Sequence, residues 1–436
     1  MRSSVWTLLA AASLSVAVAA EPAATPPAAP APLIALKAAH LFDARTGQLR
    51  DDGVVVVQGT KIVSVGGAVP AGARVIDLGD ATLLPGFIDT HVHLGGEMHG
   101  NWYQQFYTHL MSFPADDALH AAPYSERTLR AGFTTVRDLG SEDFINIALR
   151  NAIRDGAIPG PRIVASGYAI GSTGGHCDQS PYPPEVVAPA GPTHGVCAGA
   201  DECREAVRYQ MKWGADVIKI CSSGGVLSES DPVDVPQLTP DELKAIMSEA
   251  HAWRRKVAAH SHGDVAARQA IEAGVDSIEH GSFLTDDTFR LMKEKGVYLV
   301  PTRMASYWTM QQVDRFPPQI ADKARAAASA SADAFKRALR IGVPIAFGTD
   351  SGVSPHGMNA HEFSLMVDLG MSPAAALLAG TRDAARLLAI DGETGTLEAG
   401  KLADVVAVPG NVLQQIAATE HPSFVMKQGQ IIVGDH

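Results

Sequence analysis

The stretch Gly86-Phe87-Ile88-Asp89-Thr90-His91-Val92-His93 follows Pro85 and runs from apolar residues into two histidines. Read as a β-strand, it sends residues two apart to the same side, so His91 and His93 share a face at the strand's C-terminal end. The same grammar recurs downstream. Short apolar runs are expected as strands at Thr134–Leu139, Arg162–Ser166, Asp216–Ile220, Lys256–His260, Ser277–His280, Tyr298–Pro301 and Pro344–Asp350. Helical patterns lie between them, including Ala206–Lys212, Pro240–Arg255 and Ala321–Ile341. Strand and helix in alternation predict an α/β fold, and eight such strands predict a closed (β/α)8 TIM barrel.

Both flanks of this region read as β-hairpins. One is Val54–Val57 with Lys61–Val65 across Gln58-Gly59. The other is Phe424–Lys427 with Gln430–Val433 across Gln428-Gly429, beside a strand at Asp404–Val408. A lone hairpin is marginal in water. Residues 33–85 and 392–436 are therefore expected to pack together as one small discontinuous β-sandwich domain. Residues 86–391 form the barrel between them.

The first residues are set apart. Arg2 precedes an apolar run, Val5–Ala20, that ends in small residues. That is the pattern of a cleavable signal peptide over 1–20, implying a periplasmic or secreted protein. Residues 21–32 are rich in Ala and Pro and read as a flexible leader. The chain has 436 residues and a formal net charge of -12, which argues against nucleic acid and anionic membrane surfaces as partners. No membrane association is expected after processing. Of four cysteines, Cys177 and Cys197 bracket a Pro/Gly-rich loop and are the preferred pair; free thiols are the alternative.

In a barrel the C-terminal strand ends converge on one face, where active sites are built. His91 and His93 end the first strand, His260 the fifth, His280 the sixth and Asp350 the eighth. Lys219 lies in the apolar strand Val217–Ile220. A buried ammonium there is costly unless paired or neutralised. Either it is salt-bridged to an acid, or CO2 has carboxylated it into a group that can bridge two metals. Four histidines, a lysine and an aspartate on five strand ends point to metal binding. Imidazole and carboxylate donors suit Zn2+ first, with Mn2+, Co2+ or Ni2+ as alternatives.

These residues in this order resemble the amidohydrolase superfamily, in its binuclear subtype with a carboxylated lysine. Pro85-Gly-Phe-Ile-Asp-Thr-His-Val-His93 and Gly392-Glu-Thr-Gly-Thr-Leu-Glu-Ala-Gly-Lys-Leu-Ala-Asp404 carry the likeness. Gly174-Gly-His176, Val217-Ile-Lys-Ile-Cys-Ser-Ser-Gly-Gly225, His260-Ser-His262 and Gly274-Val-Asp-Ser-Ile-Glu-His-Gly281 narrow it to the branch of Xaa-Pro dipeptidase-like carboxypeptidases and ochratoxin A hydrolases.

The resemblance implies two divalent metals. One would be held by His91, His93, N6-carboxylated Lys219 and Asp350, the other by Lys219, His260 and His280. A hydroxide between them would attack the substrate carbonyl. Asp350 would act as the catalytic base and then acid. It also implies a homo-oligomer, octameric in known members. The expected substrate is a small amide with a neighbouring free carboxylate: an N-acyl amino acid, a dipeptide or an ochratoxin A-like amide. His262 and His176 are candidates to bind it, against structural hydrogen bonding. Val226 and Leu227 would line an apolar pocket, against plain core packing. Arg303 either pairs with a substrate carboxylate or forms a surface salt bridge. Lactone or phosphotriester hydrolysis on the same metals is the rival chemistry, and a non-catalytic binding or scaffold paralogue is a third reading.

Overall fold

Two tight turns bring the ends of the chain together. Gln428 and Gly429 both have positive φ, 49° and 77°, as a two-residue hairpin turn with the strands' own twist requires. A Cβ on Gly429 would run into the carbonyl of Gly59, in the turn of the N-terminal hairpin. Only glycine allows the two turns to touch.

The computed structural model describes residues 31–98, 101–178, 182–229 and 231–434. The expected signal peptide and almost all of the leader lie outside them, as does His99.

The N-terminal strands are β1 (Leu33–Asp43), β2 (Gln48–Gln58), β3 (Lys61–Val65), β4 (Arg74–Asp77) and β5 (Ala81–Pro85). The C-terminal ones are β15 (Val405–Pro409), β16 (Phe424–Lys427) and β17 (Gln430–Val433). They form one eight-stranded sheet in the order β17-β16-β15-β5-β1-β2-β3, with β4 on β1. The join is antiparallel, Val405 opposite Pro85 and Val406 opposite Leu84. Leu36, Val55, Ile62, Leu83, Val405 and Phe424 bury a common core beneath it. The N- and C-terminal flanks thus share one sheet, with β4 branching from β1.

The middle of the chain holds β6 (Phe87–Val92), β7 (Phe133–Asp138), β8 (Arg162–Ala165), β9 (Gly171–Ser172), β10 (Val196–Cys197), β11 (Ile218–Cys221), β12 (Val257–Ser261), β13 (Ser277–His280) and β14 (Tyr298–Val300). Strands β6-β7-β8 and β11-β12-β13-β14 form two parallel sheets. Single bridges extend the pairing: Ile170 with Ile220, Leu299 with Ile345, and Val92 with Ser351. The helices between strands include Ala200–Lys212, Pro240–Ala252 and Pro318–Ile341. Pro240 sits in the first turn, and Thr239 and Glu242 form a reciprocal cap there. Phe87, Phe133, Phe347 and Phe363 pack ring on ring in the largest core, with Phe347 and Phe363 centroids 4.3 Å apart.

One expected strand differs. Pro344–Asp350 is not a regular strand but an extended segment with a single bridge at Ile345. Its amides and carbonyls go elsewhere: Phe347 bonds Ala379, and Asp350 bonds the carbonyl of His91. No helix among the described residues is long and apolar enough to cross a membrane.

Candidate metal centre

Backbone pairing decides which side chains meet. The amide of Asp350 donates to the carbonyl of His91 at 2.7 Å, and the amide of His93 to the carbonyl of Ser351 at 2.7 Å. This stitches residue 350 against the end of β6. Asp350 Oδ1 then lies 3.4 Å from His91 Nε2 and 3.2 Å from His93 Nε2. Lys219 Nζ, from β11, lies 3.3 Å from His91 Nε2. Four donors from three chain segments face one another in a buried space.

A second group adjoins it. The rings of His260 and His280 are 4.6 Å apart, His262 stacks on His280 at 4.8 Å, and His91 lies 5.3 Å from His280. Potential ligand atoms of His260, His262 and His280 lie within 4.8 Å of one another, as do those of His91, His280 and Asp350. His280 belongs to both groups. His262, read from the sequence as a substrate contact, falls inside the donor cluster itself. His176 also arrives here, its ring 4.3 Å from that of His260.

Each ring is aimed by a bond on its far side. His91 Nδ1 is 2.9 Å from Glu279 Oε2, His93 Nδ1 3.0 Å from the Gly140 carbonyl, and His280 Nδ1 2.7 Å from Thr302 Oγ1. An N–H given to these outer acceptors leaves the other nitrogen's lone pair pointing inward, the usual design of histidine metal ligands. His260 uses the opposite nitrogen, Nε2, on the Gly224 carbonyl at 3.0 Å. His280, Thr302 and Asp350 all hold left-handed backbones, with φ of 71°, 46° and 60°. Such conformations cost a non-glycine residue roughly 1–3 kcal/mol and cluster at functional sites.

The electrostatics favour neutral imidazoles at most of these positions, His93 excepted. Burial holds His91, His260 and His280 well below the usual imidazole range, so their nitrogens are free to ligate. Burial likewise pulls His262 down to about 3 and His176 to about 4. Burial brings Lys219 down to about 8, against the pull of Glu279 and Asp350. Burial pushes Asp350 upward, but His91, His93 and Lys219 more than offset this and take it to about 2. For His93 the Asp350 contact outweighs burial and raises the ring.

Above the donors lies a cavity of about 240 Å³ with Val226, Leu227, Pro301, Ala305, Thr309 and Ala327 in its walls. Val226 and Leu227 are therefore pocket residues. Their loop is tied down by Lys323, which donates to the carbonyls of Gly225, Ser228 and Asp231 at 2.5–3.0 Å. The Asp231 carboxylate takes Gln237 Nε2 and the Gly225 amide, and Ser228 Oγ bonds it as well. A Cβ on Gly225 would strike the His176 ring, so this glycine lets the loop close over it.

Two expectations are corrected. Cys177 pairs with Cys221, and Cys197 with Cys203. The Cys177–Cys197 pairing fails because Cys197 sits on β10, facing the first turn of Ala200–Lys212. Cys221 ends β11, where its amide bonds Ile170 and brings it against the loop carrying Cys177. Nor does Arg303 form a surface salt bridge. It is half-buried, bonds Ser331 Oγ, and leaves its Nε without a partner.

Sequence reasoning also missed Arg137 and Glu279. Both are fully buried, 2.8 Å apart, and Glu279 orients His91. The available signal was a charged residue inside each of two apolar strands.

Residues 82–432 match the model of the Amidohydrolase family. The ochratoxinase of Aspergillus niger is 35% identical over 370 residues, 81% of this chain and 76% of that protein. A crystal structure of a Xaa-Pro dipeptidase with bound methionine in its active site shares 37% identity, covers 92% of this chain and all of its own, and superposes with a TM-score of 0.88. The structure of A. niger ochratoxinase gives 32% identity, covers 93% of this chain and 96% of its own, and has a TM-score of 0.82. The chain belongs to the amidohydrolase family and has the mixed α/β fold of these relatives. It is a hydrolase acting on amide or peptide bonds. The family uses divalent metals, and the His/Asp cluster described above has the donors to bind one.

Proposed function

We propose that this chain is a binuclear metal hydrolase that cleaves an amide bond next to a free carboxylate. Its substrates are N-acyl amino acids, small dipeptides or ochratoxin A-like amides. One observation supports the reading above all others. The inward nitrogens of His91 and His93, the Asp350 carboxylate and the Lys219 amine meet within 3.2–3.4 Å of a neighbour, beneath an apolar pocket.

His91, His93, Lys219 and Asp350 would hold one metal, and Lys219, His260 and His280 the other. Zn2+ matches the donors best. Reaction of the neutral Lys219 amine with CO2, with loss of one proton, would make the side chain a carbamate anion suited to metal binding. When bound, the metals supply Lewis-acid polarisation of the carbonyl and acidification of water. Asp350, ionised at neutral pH, takes the attacking water's proton on its carboxylate and returns it to the leaving amine nitrogen as the C–N bond breaks. Val226 and Leu227 present an apolar wall to the leaving side chain. His262, with Nδ1 occupied by Ser282 at 2.8 Å, has Nε2 left for a substrate oxygen, and His176 stands beside it.

We read the parallel strands and bridges as a closed (β/α)8 barrel over residues 86–391. Residues 33–85 and 392–436 make the β-sandwich domain. Export to the periplasm or medium, with residues 1–20 as signal peptide and 21–32 as leader, fits the two disulfides. Self-association fits the exposed Tyr103, Tyr107, Met111 and Phe113 around one helix.

The test is turnover of N-acetyl-phenylalanine and Xaa-Pro dipeptides by chelator-treated protein, with and without added Zn2+ and bicarbonate. Activity that returns only with both is expected. Full activity without metal, or a zinc-loaded enzyme that cleaves lactones but no amide, would overturn the proposal.

A further inference from the structure

A second cavity, of about 540 Å³, opens beside the first and shares His93, His176 and Leu227 with it. Trp102, Phe106, Tyr168 and Tyr182 stand in its wall. Trp102, Phe106 and Tyr182 follow one another edge to face, with successive centroids 5.3 and 5.9 Å apart, and Phe316 backs Trp102 from outside the cavity at 5.6 Å. Trp102 is almost fully buried, and its Nε1 donates to Glu229 at 3.0 Å, which fixes the plane of the ring. His109 stacks on Tyr182 at the outer end.

The outer cavity is the more acidic of the two. The inner pocket is lined by Lys219 and a ring of imidazoles, with Asp350 as its carboxylate. The outer cavity is lined by Glu142 and Asp178, and by neither lysine nor arginine among its described residues. Asp178 accepts the Gly174 amide at 2.8 Å, and Glu142 lies 3.7 Å from His109. A substrate straddling the catalytic residues thus has a preferred direction. Its carboxylate end belongs inside, because outside it would face two like charges.

We infer that the outer cavity is the acyl subsite, built for an aromatic acyl group that is neutral or cationic and closed to an anionic one. This rests on the amide-hydrolase reading above and adds to it the class of acyl group. A flat ring entering the cavity continues the edge-to-face series, and each such contact adds to affinity beyond the area it buries. An acetyl group leaves the aromatic walls unused. A carboxylate on the ring would meet the like charges of Glu142 and Asp178.

The experiment compares N-(2-naphthoyl)-L-phenylalanine, N-acetyl-L-phenylalanine and N-(6-carboxy-2-naphthoyl)-L-phenylalanine on the zinc-reconstituted full chain. The naphthoyl amide is expected to exceed the acetyl amide in kcat/KM by at least about fivefold, the yield of one or two aromatic contacts. The carboxynaphthoyl amide should fall below the naphthoyl one, and Glu142→Gln should narrow that gap. Phe106→Leu and Trp102→Phe should each shrink the naphthoyl-to-acetyl ratio. Equal kcat/KM for naphthoyl and acetyl amides, or a ratio unmoved in both variants, overturns the inference. Calorimetric binding of the same three compounds separates the two levels of the argument. If none is hydrolysed, the amide-hydrolase reading fails. Tighter naphthoyl binding that weakens in Phe106→Leu still supports the aromatic subsite, and equal binding refutes it.

Discussion

Thr302 Oγ1 sits 2.7 Å from His280 Nδ1, and both residues hold left-handed backbones. Thr302 precedes the helix Arg303–Gln312, whose first amides, those of Arg303 and Met304, donate to the buried Glu362 carboxylate at 3.0 and 2.5 Å. A helix start is thus clamped so that one hydroxyl can aim one imidazole. Thr302→Val keeps the shape and deletes the acceptor. Zinc affinity should fall about 10- to 100-fold, the usual effect of losing such an outer bond. Competition with a weak chelator measures it, and unaltered affinity would show that His280 needs no such guide.

The Arg137–Glu279 pair lies wholly out of water. Glu279→Leu strands a buried guanidinium and should destabilise the fold by about 3–5 kcal/mol. Adding Arg137→Met should return much of that loss. The double variant should still bind zinc poorly, because His91 has lost its Nδ1 partner. Urea unfolding with a zinc titration of both variants checks the two effects separately. A double variant with native zinc affinity would remove Glu279 from any role at the centre.

Lys323 places each ammonium proton within reach of a backbone carbonyl, on Gly225, Ser228 or Asp231. Lys323→Met should free the segment bearing Val226 and Leu227. We expect KM to rise on the order of tenfold, the cost of about one charge-assisted hydrogen bond, with kcat changed much less. A fall in kcat at constant KM would place Lys323 in the chemistry instead.

Burial pushes Glu362 up to about 8, with the Arg303 and Met304 amides opposing. The folded protein therefore keeps a proton that the unfolded chain, with an ordinary carboxyl near 4.5, has released. Stability should fall as pH rises from about 4.5 to about 8, by on the order of 1 kcal/mol per pH unit at most, and level off above that. Glu362→Gln should flatten this limb. Melting temperatures between pH 5 and 9 decide, and parallel curves for both proteins would contradict it.

Lys219→Ala should abolish turnover while leaving the fold intact. Short carboxylic acids such as acetate or propionate should restore part of the rate if the missing function is a bridging carboxylate. Undiminished activity in the variant would exclude that function.

The strand ends could be read from the sequence because alternation is a local rule. His91 and His93 sit two apart at the end of β6, and the structure sets both against Asp350 as that spacing requires. Helix starts were harder. The helix read as Ala206–Lys212 begins at Ala200, since its first turn is acidic and polar and carries no apolar period. Segment 344–350 looked like a strand from its apolar run, yet its backbone partners come from several distant segments. Cysteine pairing was illegible for a related reason. Cys177 meets Cys221 only because the loop after β8 lies beside β11. Glu279 was in plain sight within Ser277–His280, but nothing local says that its partner is Arg137, 142 residues away.

The contact between the turns at Gly59 and Gly429 has a consequence for biosynthesis. Strands β1 and β5 are made more than 300 residues before β15, the strand that joins them to β16 and β17. A nascent chain halted anywhere short of residue 405 exposes the flank of β5 that β15 would cover. Such a fragment leaves the backbone groups along that flank of β5 unpaired, an edge open to pairing with another strand.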